Sequence, residues 1–364
     1  MKSDTDIIFE ELLGRSPSTV IPDNVQKYYD GKRILVTGAA GTIGSDVCKL
    51  LIACNVSQIV LFDQSESGLY DLYNDLKLLS KNCTIHTIVG NICFADELEH
   101  VFEKFKPQIV FHVAAYKHVP LMEAQPLVAI RVNVFGTKMV AEYSIKHEVD
   151  KFIFVSTDKS LNPKSILGAT KRIGELFIQK VQKSQSTCSF ITCRFGNVFN
   201  SNGSVVPLFK KQIEFGGPIT LTHAEVTRYF MSVVEASSFL LEAAAIGRSG
   251  DLLFFDMDKS VKILDLAQIM INYYGGEMKD QATVIKYIGL RPGEKLHEDS
   301  LNLNQEVNPT ESPKIFKYKD PGVVGNDFME NLVELEAALK QGLSEELIPS
   351  ILSMVPEYQA NRLK

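Results

Sequence analysis

From Arg33 to Gly196 the sequence alternates short apolar runs with longer amphipathic stretches. Continuous apolar runs are typical of strands that are buried on both faces, whereas the stretches between them have helical periodicity. Six strands are predicted, over residues 33–37, 58–63, 84–90, 108–114, 151–157 and 189–196, with helices such as 95–105 and 136–148 between them. This order predicts an α/β fold that is built on a doubly wound parallel sheet.

The pattern is looser after Gly196. The segment GNVFNSNGSVVP has the composition of a loop, and it is followed by predicted helices near 205–215, 231–246 and 261–274 and by strands over 251–257 and 282–289. Residues 302–326 are rich in Asn, Pro, Lys and Asp and are predicted to be loop, with two more helices in the tail. We therefore expect a smaller C-terminal lobe beside the sheet.

Composition and charge exclude several classes of protein. The chain has 364 residues, of which 45% are hydrophobic, and its net charge of −6 argues against a nucleic-acid-binding surface. No apolar run reaches the roughly 18–20 residues that span a bilayer, and the acidic start MKSDTDIIFEELLG is not a signal peptide. The six cysteines form no CxxC pair, so we expect reduced thiols in a cytoplasmic protein and no metal site.

The segment VTGAAGTIGSD follows the first predicted strand and opens a helix. Its glycines, Gly38, Gly41 and Gly44, permit a tight turn and let backbone N–H groups approach a pyrophosphate at the positive end of that helix. In this strand–turn–helix context the spacing indicates a Rossmann-like dinucleotide site, to which Thr42 and Ile43 also belong.

The ends of the next strands supply the rest of the expected cofactor site. Asp63 ends the second strand, where a carboxylate would accept hydrogen bonds from ribose hydroxyls and repel a 2′-phosphate, so NAD is favoured over NADP. Asn91 and Ile92 follow the third strand and are expected to flank the adenine. Ala114 and Ala115 follow the fourth and leave room for ribose and phosphates.

Residues 156–171 read STDKSLNPKSILGATK. Together with the glycine turn and Asn133 in NVFGT, this segment resembles the extended short-chain dehydrogenase/reductase family. Such enzymes place a proton-transferring tyrosine four residues before a lysine. Here the lysine is Lys171, and the tyrosine position is Leu167, which has no ionisable group.

Within that family the segment is most similar to bacterial UDP-N-acetylglucosamine 4,6-dehydratases that retain the configuration at carbon 5. The resemblance extends over FEELLGRSP, LFDQSE, HVAAYKHVPLME, EVTRYFMSVVEA and LRPGEKLHE. These enzymes make the 4-keto-6-deoxy precursor of diamino sugars such as bacillosamine. They commonly have methionine at the tyrosine position, so Leu167 is a departure that conserves volume and polarity.

The resemblance implies oxidation at carbon 4 by NAD, loss of water across carbons 5 and 6, and return of the hydride to carbon 6. It implies that Thr157 hydrogen-bonds the carbon 4 oxygen, Asp158 protonates the leaving oxygen and Lys159 takes the carbon 5 proton. Lys171 is expected to hold the nicotinamide ribose and to favour loss of the carbon 4 hydroxyl proton. The final acceptor of that proton is left open, with a relay through Thr157 as the preferred hypothesis.

A lysine that acts as a base has to be neutral. The pKa of Lys159 is therefore expected to lie well below its ordinary value, through burial or a neighbouring positive charge. Lys171 is the expected neighbour.

The same resemblance implies a nucleotide-sugar site in the C-terminal lobe. Asn197 in RFGNVFNSNGSVVP is expected to contact the substrate diphosphate. Arg228 and Arg291 are expected to bind phosphate oxygens, and Glu294 the uridine ribose. Two residues expected to border the sugar are Lys117 and His118.

The sequence thus predicts three parts. Residues 1–30 form an N-terminal helix, over DIIFEELLG, and a linker. Residues 31–196 form an NAD-binding Rossmann domain with the catalytic segment. Residues 197–364 form a nucleotide-sugar-binding lobe, interleaved with the last Rossmann elements, and a C-terminal tail. The resemblance also implies a homodimer or higher homo-oligomer that is formed by helices over 121–148 and 165–183.

Alternatives remain open. A carbon-5-inverting dehydratase has the same fold, although LLGRSP and ATKRIGELF favour the retaining group. A UDP-sugar 4-epimerase would normally use the missing tyrosine. A catalytically silent NAD-binding scaffold would have no need of Asp158, Lys159 and Lys171. Because relatives often carry an N-terminal membrane region, the chain is expected to be either soluble by nature or the catalytic part of an anchored protein.

Overall fold

The computed structural model describes residues 3–17, 21–184, 187–274, 285–299, 306–319, 322 and 324–359. The strands of these residues are β1 Arg33–Thr37, β2 Gln58–Asp63, β3 Thr84–Val89, β4 Ile109–His112, β5 Lys151–Thr157, β6 Ser189–Phe195, β7 Asn197–Val198, β8 Ile219–Leu221, β9 Thr227–Met231, β10 Leu252–Phe255, β11 Ser260–Lys262, β12 Ile285–Tyr287, β13 Val307–Pro309 and β14 Ile315–Tyr318.

The α-helices of the same residues are α1 Asp4–Leu13, α2 Asp23–Tyr29, α3 Thr42–Ala53, α4 Glu66–Leu79, α5 Ala95–Phe105, α6 Val119–Ala124, α7 Pro126–Ile130, α8 Thr137–Lys146, α9 Ile166–Ser184, α10 Val205–Glu214, α11 Val233–Ile246, α12 Ile263–Tyr274, α13 Phe328–Gln341 and α14 Ser344–Met354. A π-helical turn, Arg131–Gly136, joins α7 to α8, and a 3₁₀ turn, Asp158–Ser160, follows β5.

The main sheet confirms the predicted fold class. Its nine strands lie in the order β13-β14-β10-β6-β5-β4-β1-β2-β3, and the strands from β10 to β3 are parallel to one another. Helices cover both faces, since the buried residues of α2, α3, α4 and α11 form one apolar core with the sheet, and those of α5, α8, α9, α13 and α14 form another. The strand order changes direction between β1 and β4, where ligands of such sheets bind.

The predicted loop over residues 302–326 was wrong in part. Strands β13 and β14 form an antiparallel pair there, and β14 pairs antiparallel with β10 at the sheet edge. The polar composition hid these strands because they are short and lie at the end of the sheet, where side chains such as those of Phe316 and Lys317 are only half-buried. The predicted strand over 282–289 is observed as β12, and residues 281–284 lie outside the described part of the chain.

The predicted linker after α1 was also wrong over Asp23–Tyr29, which is helix α2. Val25 and Tyr29 stand four residues apart on one helix face and are fully buried against the main sheet, where the Tyr29 hydroxyl donates to the carbonyl of Leu241 at 2.7 Å. Helix α1 belongs elsewhere. Its Ile8 and Phe9 are buried in a third apolar core, which they share with α10, α12 and β9.

Helix α9 is buried on all sides over most of its length. The helices α13 and α14 share an apolar core with it, and α14 contacts both α7 and α9. Of the two helices that were expected to form a subunit interface, the one over 165–183 therefore has residues 166–179 buried within the chain itself. Self-association of the chain stays a prediction. Within the described residues, no helix is long and apolar enough to span a membrane.

The carboxylate of Glu175 in α9 ties the catalytic strand to its neighbours. Its Oε1 accepts hydrogen bonds from Ser156 Oγ at 2.6 Å, Ser160 Oγ at 2.8 Å and Arg194 Nε at 2.8 Å. Its Oε2 accepts from Arg194 at 2.6 Å and from Arg172 at 3.1 Å. Burial alone would raise the pKa of Glu175, but the two arginines, Arg194 first, lower it to about 2.

Replacement of Glu175 by Gln keeps the side-chain shape and removes the charge that faces the two arginines. We expect the free energy of unfolding at pH 7 to fall by about 3–5 kcal/mol, because the change leaves buried positive charge uncompensated. The pKa of Glu175 is lower in the folded protein than its ordinary 4.5, so this contribution is present above about pH 5 and is lost as the pH falls towards 2.

Urea unfolding at pH 7 and at pH 3 measures both effects, and the difference between Glu175→Gln and the wild type should shrink at pH 3. The control is Glu336→Gln, which removes a partner of Lys340 at 2.8 Å in a surface pair and should change stability by less than about 1 kcal/mol. Equal stability of the wild type and Glu175→Gln at pH 7 would contradict the assigned role.

Candidate active site

One cavity of about 720 Å³ lies beyond the carboxyl ends of the parallel strands. It brings together the two groups of residues that the sequence analysis separated, the glycine turn after β1 and the catalytic segment after β5. The predicted site residues that border it are Gly38, Gly41, Thr42, Ile43, Asp63, Asn91, Ile92, Ala114, Ala115, Lys117, His118, Thr157, Lys159, Lys171, Asn197, Arg228, Arg291 and Glu294. Two predicted residues, Gly44 and Asp158, lie behind its wall.

The glycine turn is built as a close backbone approach. Gly38 has a φ of +72°, and a Cβ on it would stand 2.6 Å from the backbone nitrogen of Ala114. A Cβ on Gly44 would stand 2.1 Å from the carbonyl oxygen of Gly38. Helix α3 begins at Thr42 and points its N-terminal N–H groups at the cavity, which suits a negatively charged phosphate group. These residues fit a dinucleotide.

The carboxylate of Asp63 holds this turn in place. Its Oδ2 accepts a hydrogen bond from the Ala40 N–H at 3.0 Å, and its Oδ1 accepts one from the Ser65 N–H at 2.9 Å. Each carboxylate oxygen can accept a second hydrogen bond. The group is half-buried at the cavity edge, so Asp63 can serve the turn and a ribose together.

The end of β5 presents a cluster of hydroxyl, carboxyl and ammonium groups. Thr157 Oγ1 donates to Asp158 Oδ1 at 2.9 Å. Lys159 Nζ donates to Asp158 Oδ1 at 3.0 Å and to Asn197 Oδ1 at 3.0 Å, and it lies 3.1 Å from Glu298 Oε1. Glu298 was missed by the sequence analysis. The signal was present in the LRPGEKLHE segment, where a carboxylate follows Glu294 by four residues, but the polar surroundings gave no sign that it is buried.

The expected lowering of the Lys159 pKa is wrong for this structure. Burial lowers the pKa, but the carboxylates of Asp158 and Glu298 together raise it above its ordinary value, with Arg228 opposing them. The pKa of Asp158 is raised instead, chiefly by burial and also by Glu298, against the attraction of Lys159. In the structure Lys159 is thus an ammonium between two acidic groups.

Lys171 is the lysine whose pKa falls. Its side chain is buried, its Nζ stands 4.1 Å from the centre of the Phe154 ring, and burial lowers its pKa to about 7 although Glu175 opposes this. Leu167 lies one helical turn earlier in α9 and borders the same cavity with a buried apolar side chain. Near neutral pH, Lys171 is therefore balanced between its charged and neutral forms.

A buried histidine, His112, lies behind the cavity wall near Lys171. His112 Nδ1 lies 2.8 Å from Thr37 Oγ1 and its Nε2 lies 2.9 Å from Thr137 Oγ1. The Thr137 hydroxyl donates to the carbonyl of Asn133 at 2.8 Å, so it accepts from Nε2–H of His112. Burial, aided by Lys171, lowers the pKa of His112 to about 3, which keeps the ring neutral.

At the other end of the cavity Arg228 and Glu294 contact each other. Arg228 Nη2 lies 3.2 Å from Glu294 Oε1, which also accepts from Thr222 Oγ1 at 2.8 Å. Arg291 is exposed at the rim, and its backbone N–H donates to Glu294 Oε2 at 3.1 Å. A phosphate or ribose entering here meets charged groups that are already paired with each other.

Lys117 and His118 border the middle of the cavity. Burial lowers the pKa of Lys117, and burial together with Lys117 lowers that of His118, so the ring of His118 is neutral at pH 7. His118 lies against the loop after β7, where a Cβ on Gly203 would stand 2.5 Å from its Cε1. Two further lining residues were missed, Gln64 and Tyr116, whose side chains are joined by a hydrogen bond of 3.1 Å.

The cavity wall is positively charged, although the net charge of the whole chain is −6. In the described residues, seven lysine and arginine side chains border it against three carboxylates. A cleft of one sign attracts ligands of the opposite sign, and a diphosphate is such a ligand. The carboxylates are Asp63, Glu294 and Glu298.

Comparison with known protein families assigns this chain to one of them. Residues 34–320 match the family model described as polysaccharide biosynthesis protein. The chain belongs to the polysaccharide biosynthesis protein family. It is 44% identical to the capsular polysaccharide biosynthesis protein CapD of Staphylococcus aureus, over 85% of this chain and 52% of that protein. The chain therefore spans about half the length of this family member.

An enzyme that acts on a UDP-sugar is also similar to this chain. The UDP-glucose 4-epimerase of Rickettsia canadensis is 32% identical over 77% of this chain and 80% of that protein. Among solved structures, Pen from Bacillus thuringiensis has a TM-score of 0.74 and 28% identity over 84% of this chain and 98% of that one.

Two further structures carry ligands. The UDP-N-acetylglucosamine 4-epimerase of Methanobrevibacter ruminantium, solved with UDP-N-acetylmuramic acid, has a TM-score of 0.62 and 25% identity over 76% of this chain and 91% of that one. The dTDP-glucose 4,6-dehydratase DesIV of Streptomyces venezuelae, solved with NAD, has a TM-score of 0.64 and 20% identity over 73% of this chain and 87% of that one. At that identity DesIV shows the shared Rossmann fold alone.

The packing of the glycine turn gives a test. In Gly44→Ala the new methyl group would meet backbone atoms of Gly38 and Ala39, which cannot move aside as a side chain can. We expect a loss of at least about 1–3 kcal/mol in the free energy of unfolding. Gly325→Ala is the matched control, because a Cβ there has nothing within 4 Å, and it should be close to neutral. Thermal unfolding of both variants measures the difference, and equal melting temperatures would refute the close packing of this turn.

Proposed function

We propose that this chain is an NAD-dependent UDP-N-acetylglucosamine 4,6-dehydratase of the carbon-5-retaining type. The observation that carries the proposal is the series of hydrogen bonds that joins Thr157, Asp158 and Lys159 at the end of β5. Thr157 and Lys159 border the same cavity as the dinucleotide turn and Leu167, which stands at the tyrosine position. The hydrogen-bonded series would supply a proton relay without a phenol. The similarity to CapD and to enzymes that act on UDP-sugars supports the substrate class.

NAD is proposed as the cofactor because the glycine turn after β1 fits a dinucleotide. The N-terminus of α3 and the glycines would hold the diphosphate, Asp63 the adenosine ribose, and Lys171 the nicotinamide ribose. NAD, when bound there, supplies reversible hydride transfer, so that no external redox partner is needed. NAD in the structure of DesIV supports this choice through the shared fold.

Thr157 is proposed to carry protons between the sugar and Asp158. Oxidation at carbon 4 releases the hydroxyl proton, and the Thr157 hydroxyl already donates to Asp158, so it can accept the sugar proton while it passes its own to the carboxylate. The raised pKa of Asp158 favours retention of that proton until carbon 6 loses its oxygen. Because Thr157 borders the cavity and Asp158 does not, the same hydroxyl passes the proton from Asp158 to the departing carbon 6 hydroxyl group, which leaves as water.

Lys159 is proposed to take the carbon 5 proton, which the new ketone makes acidic. Its Nζ borders the cavity, and its contact with Asn197 fixes it beside the strand that leads to the nucleotide end. The positively charged wall and the Arg228–Glu294 pair would hold the UDP group.

A 4-epimerase is the second candidate, because the Rickettsia relative carries that name. The apolar Leu167 side chain at the cavity wall disfavours it. An epimerase has to remove the proton of the carbon 4 hydroxyl group and later return it, and a tyrosine normally does this. Incubation of the protein with NAD and UDP-N-acetylglucosamine, followed by chromatography and mass spectrometry, separates the candidates. A dehydratase gives a product that is lighter by one water, an epimerase a product of unchanged mass and altered retention, and a silent scaffold gives neither.

The cofactor assignment is tested at Asp63. Loss of a charged hydrogen-bond acceptor costs about 1.5–3 kcal/mol, so Asp63→Ala should weaken NAD binding by roughly ten- to a hundredfold. Isothermal titration calorimetry measures the affinity, and Asp71→Ala on the exposed side of α4 is the control with unchanged binding. A wild-type preference for NADP of about tenfold or more would show that Asp63 has been misread.

The position of the base is tested with two variants. Leu167→Met conserves volume and adds no acid, so its activity should stay near that of the wild type. Lys159→Ala should lose about 10²–10⁴-fold in dehydration, the usual cost of a missing general base. Both are assayed in deuterated water by following product and deuterium entry at carbon 5. Full activity of Lys159→Ala, or collapse of Leu167→Met, would place the base elsewhere.

A further inference from the structure

Lys295 is a buried lysine to which the proposed reaction has given no task. Its side chain is 6% exposed, and its Nζ donates to the backbone carbonyl of Leu161 at 2.8 Å and to Asp299 Oδ2 at 2.5 Å. Leu161 lies 134 positions earlier, in the loop over residues 158–165 that follows β5, which we call the catalytic loop. A buried ammonium group costs free energy unless it has acceptors. The contact with Leu161 is therefore one that Lys295 has to keep.

The catalytic loop is held both by α9 and by Lys295. The Leu161 N–H donates to the carbonyl of Asp158 at 3.1 Å, so the carbonyl that Lys295 holds belongs to the same turn as the proposed acid. The loop also lies against α9, since a Cβ on Gly168 would stand 2.2 Å from the carbonyl oxygen of Lys159. These two contacts together determine where the backbone of Asp158 and Lys159 lies.

The residue directly before Lys295 belongs to the turn over residues 291–294, which we call the nucleotide turn because it is proposed to bind the UDP group. Within it Gly293 has a φ of +73°, and a Cβ there would stand 2.8 Å from Glu123 Oε1 and 2.9 Å from Ser165 Cβ. Ser165 is the last residue of the catalytic loop. The nucleotide turn therefore packs on one end of the loop, and Lys295 adds a hydrogen bond to the middle of the loop.

We propose that Lys295 is a positioning residue that couples the nucleotide turn to the catalytic loop, so that binding of the UDP group holds Asp158 and Lys159 where the sugar reacts. This proposal rests on the proposed function. A diphosphate and a ribose bound to the nucleotide turn stabilise its position. Lys295 passes this effect to the loop, because its ammonium group cannot leave the Leu161 carbonyl without losing a buried acceptor. Binding energy from the part of the substrate that does not react thereby keeps the reacting groups in place.

A second contact joins the same two segments, since Glu298 Oε1 lies 3.1 Å from Lys159 Nζ. It reaches only the tip of the Lys159 side chain, which also donates to Asp158 and Asn197. Lys295 instead contacts the backbone of the loop, on which the positions of both proposed catalytic side chains depend. Variants at Lys295 therefore loosen the loop while they leave the Glu298 contact present.

Hydrogen–deuterium exchange with UDP as the probe tests the coupling without turnover. In the wild type, UDP at about 100 times its Kd should slow exchange in peptides over residues 158–168 by about tenfold or more, because a ligand stabilises the arrangement that binds it. Lys295→Met keeps the side-chain length and removes the charge, so UDP should still bind but slow this exchange much less. Lys295→Arg keeps a cationic donor and should restore part of the protection. The control Lys319→Met breaks an exposed pair with Glu306 and should behave as the wild type.

Steady-state kinetics test the consequence for the reaction. Lys295→Met should lower kcat for the nucleotide sugar by about ten- to a hundredfold, since a misplacement of about 1 Å in reacting groups can cost that much. The KM and the affinity for UDP should change little, because Glu294 keeps its contacts with Arg228 and Thr222. The affinity for NAD should also change little, which a general loss of structure would not allow. Lys295→Arg should regain part of kcat, and a wild-type kcat in Lys295→Met would contradict the role.

The outcomes separate this inference from the proposed function. Equal protection of the catalytic loop by UDP in the wild type and in Lys295→Met, or UDP binding to the wild type without protection, would overturn the coupling even if the protein dehydrates UDP-N-acetylglucosamine. A raised KM at unchanged kcat would make Lys295 a ligand-binding residue and overturn it too. Coupling in a protein that leaves UDP-N-acetylglucosamine intact would refute the dehydratase function alone, and a wild type that does not bind UDP would refute both. If Lys295→Met does not fold, the wild type and Lys295→Arg still decide, through the presence of protection and its partial loss.

Discussion

The site depends on one buried carboxylate that never reaches the cavity. Glu175 joins α9 to β5 through Ser156 and Ser160, and to β6 through Arg194. These contacts fix the end of β5, where Thr157 and Lys159 must point into the cavity, relative to the helix that carries Lys171. Isolated buried charges cost several kcal/mol, but here Glu175 is paired with Arg194 and Arg172 and also accepts hydrogen bonds from Ser156 and Ser160.

The immediate surroundings of each lysine determine which is more easily deprotonated. Lys171 is buried beside Phe154, and burial outweighs the opposing attraction of Glu175, so its pKa falls to about 7. Lys159 is also partly buried, but it directly contacts two carboxylates that no arginine fully neutralises, and its pKa rises. Two lysines in one cavity are thus given opposite proton affinities by their immediate neighbours.

Local patterns in the sequence were sufficient for the parallel strands of the sheet and for eighteen of the residues that border the cavity. Buried parallel strands read as apolar runs, and residues that follow them must meet at one edge, so Gly38, Asp63 and Thr157 could be placed together without coordinates. The strands β13 and β14 could not be found in this way, because they are only three and four residues long and their neighbours in the sequence are polar. The covering of α9 by α13 and α14 depends on long-range packing and has no local signature.

Charge states were harder to predict than positions, for a physical reason. The pKa of Lys159 depends on distances of about 3 Å to groups far away in sequence, and Glu298 is 139 positions beyond it. The sequence analysis considered Lys171, which is only 12 positions away on the next helix, and so assigned the wrong neighbour. The correct neighbour, Glu298, lies in the segment that is proposed to bind the nucleotide. Arg228 contacts both carboxylates of that segment, Glu294 and Glu298, and Glu298 in turn contacts Lys159, so a negatively charged ligand that bound Arg228 would change the charge balance around Lys159.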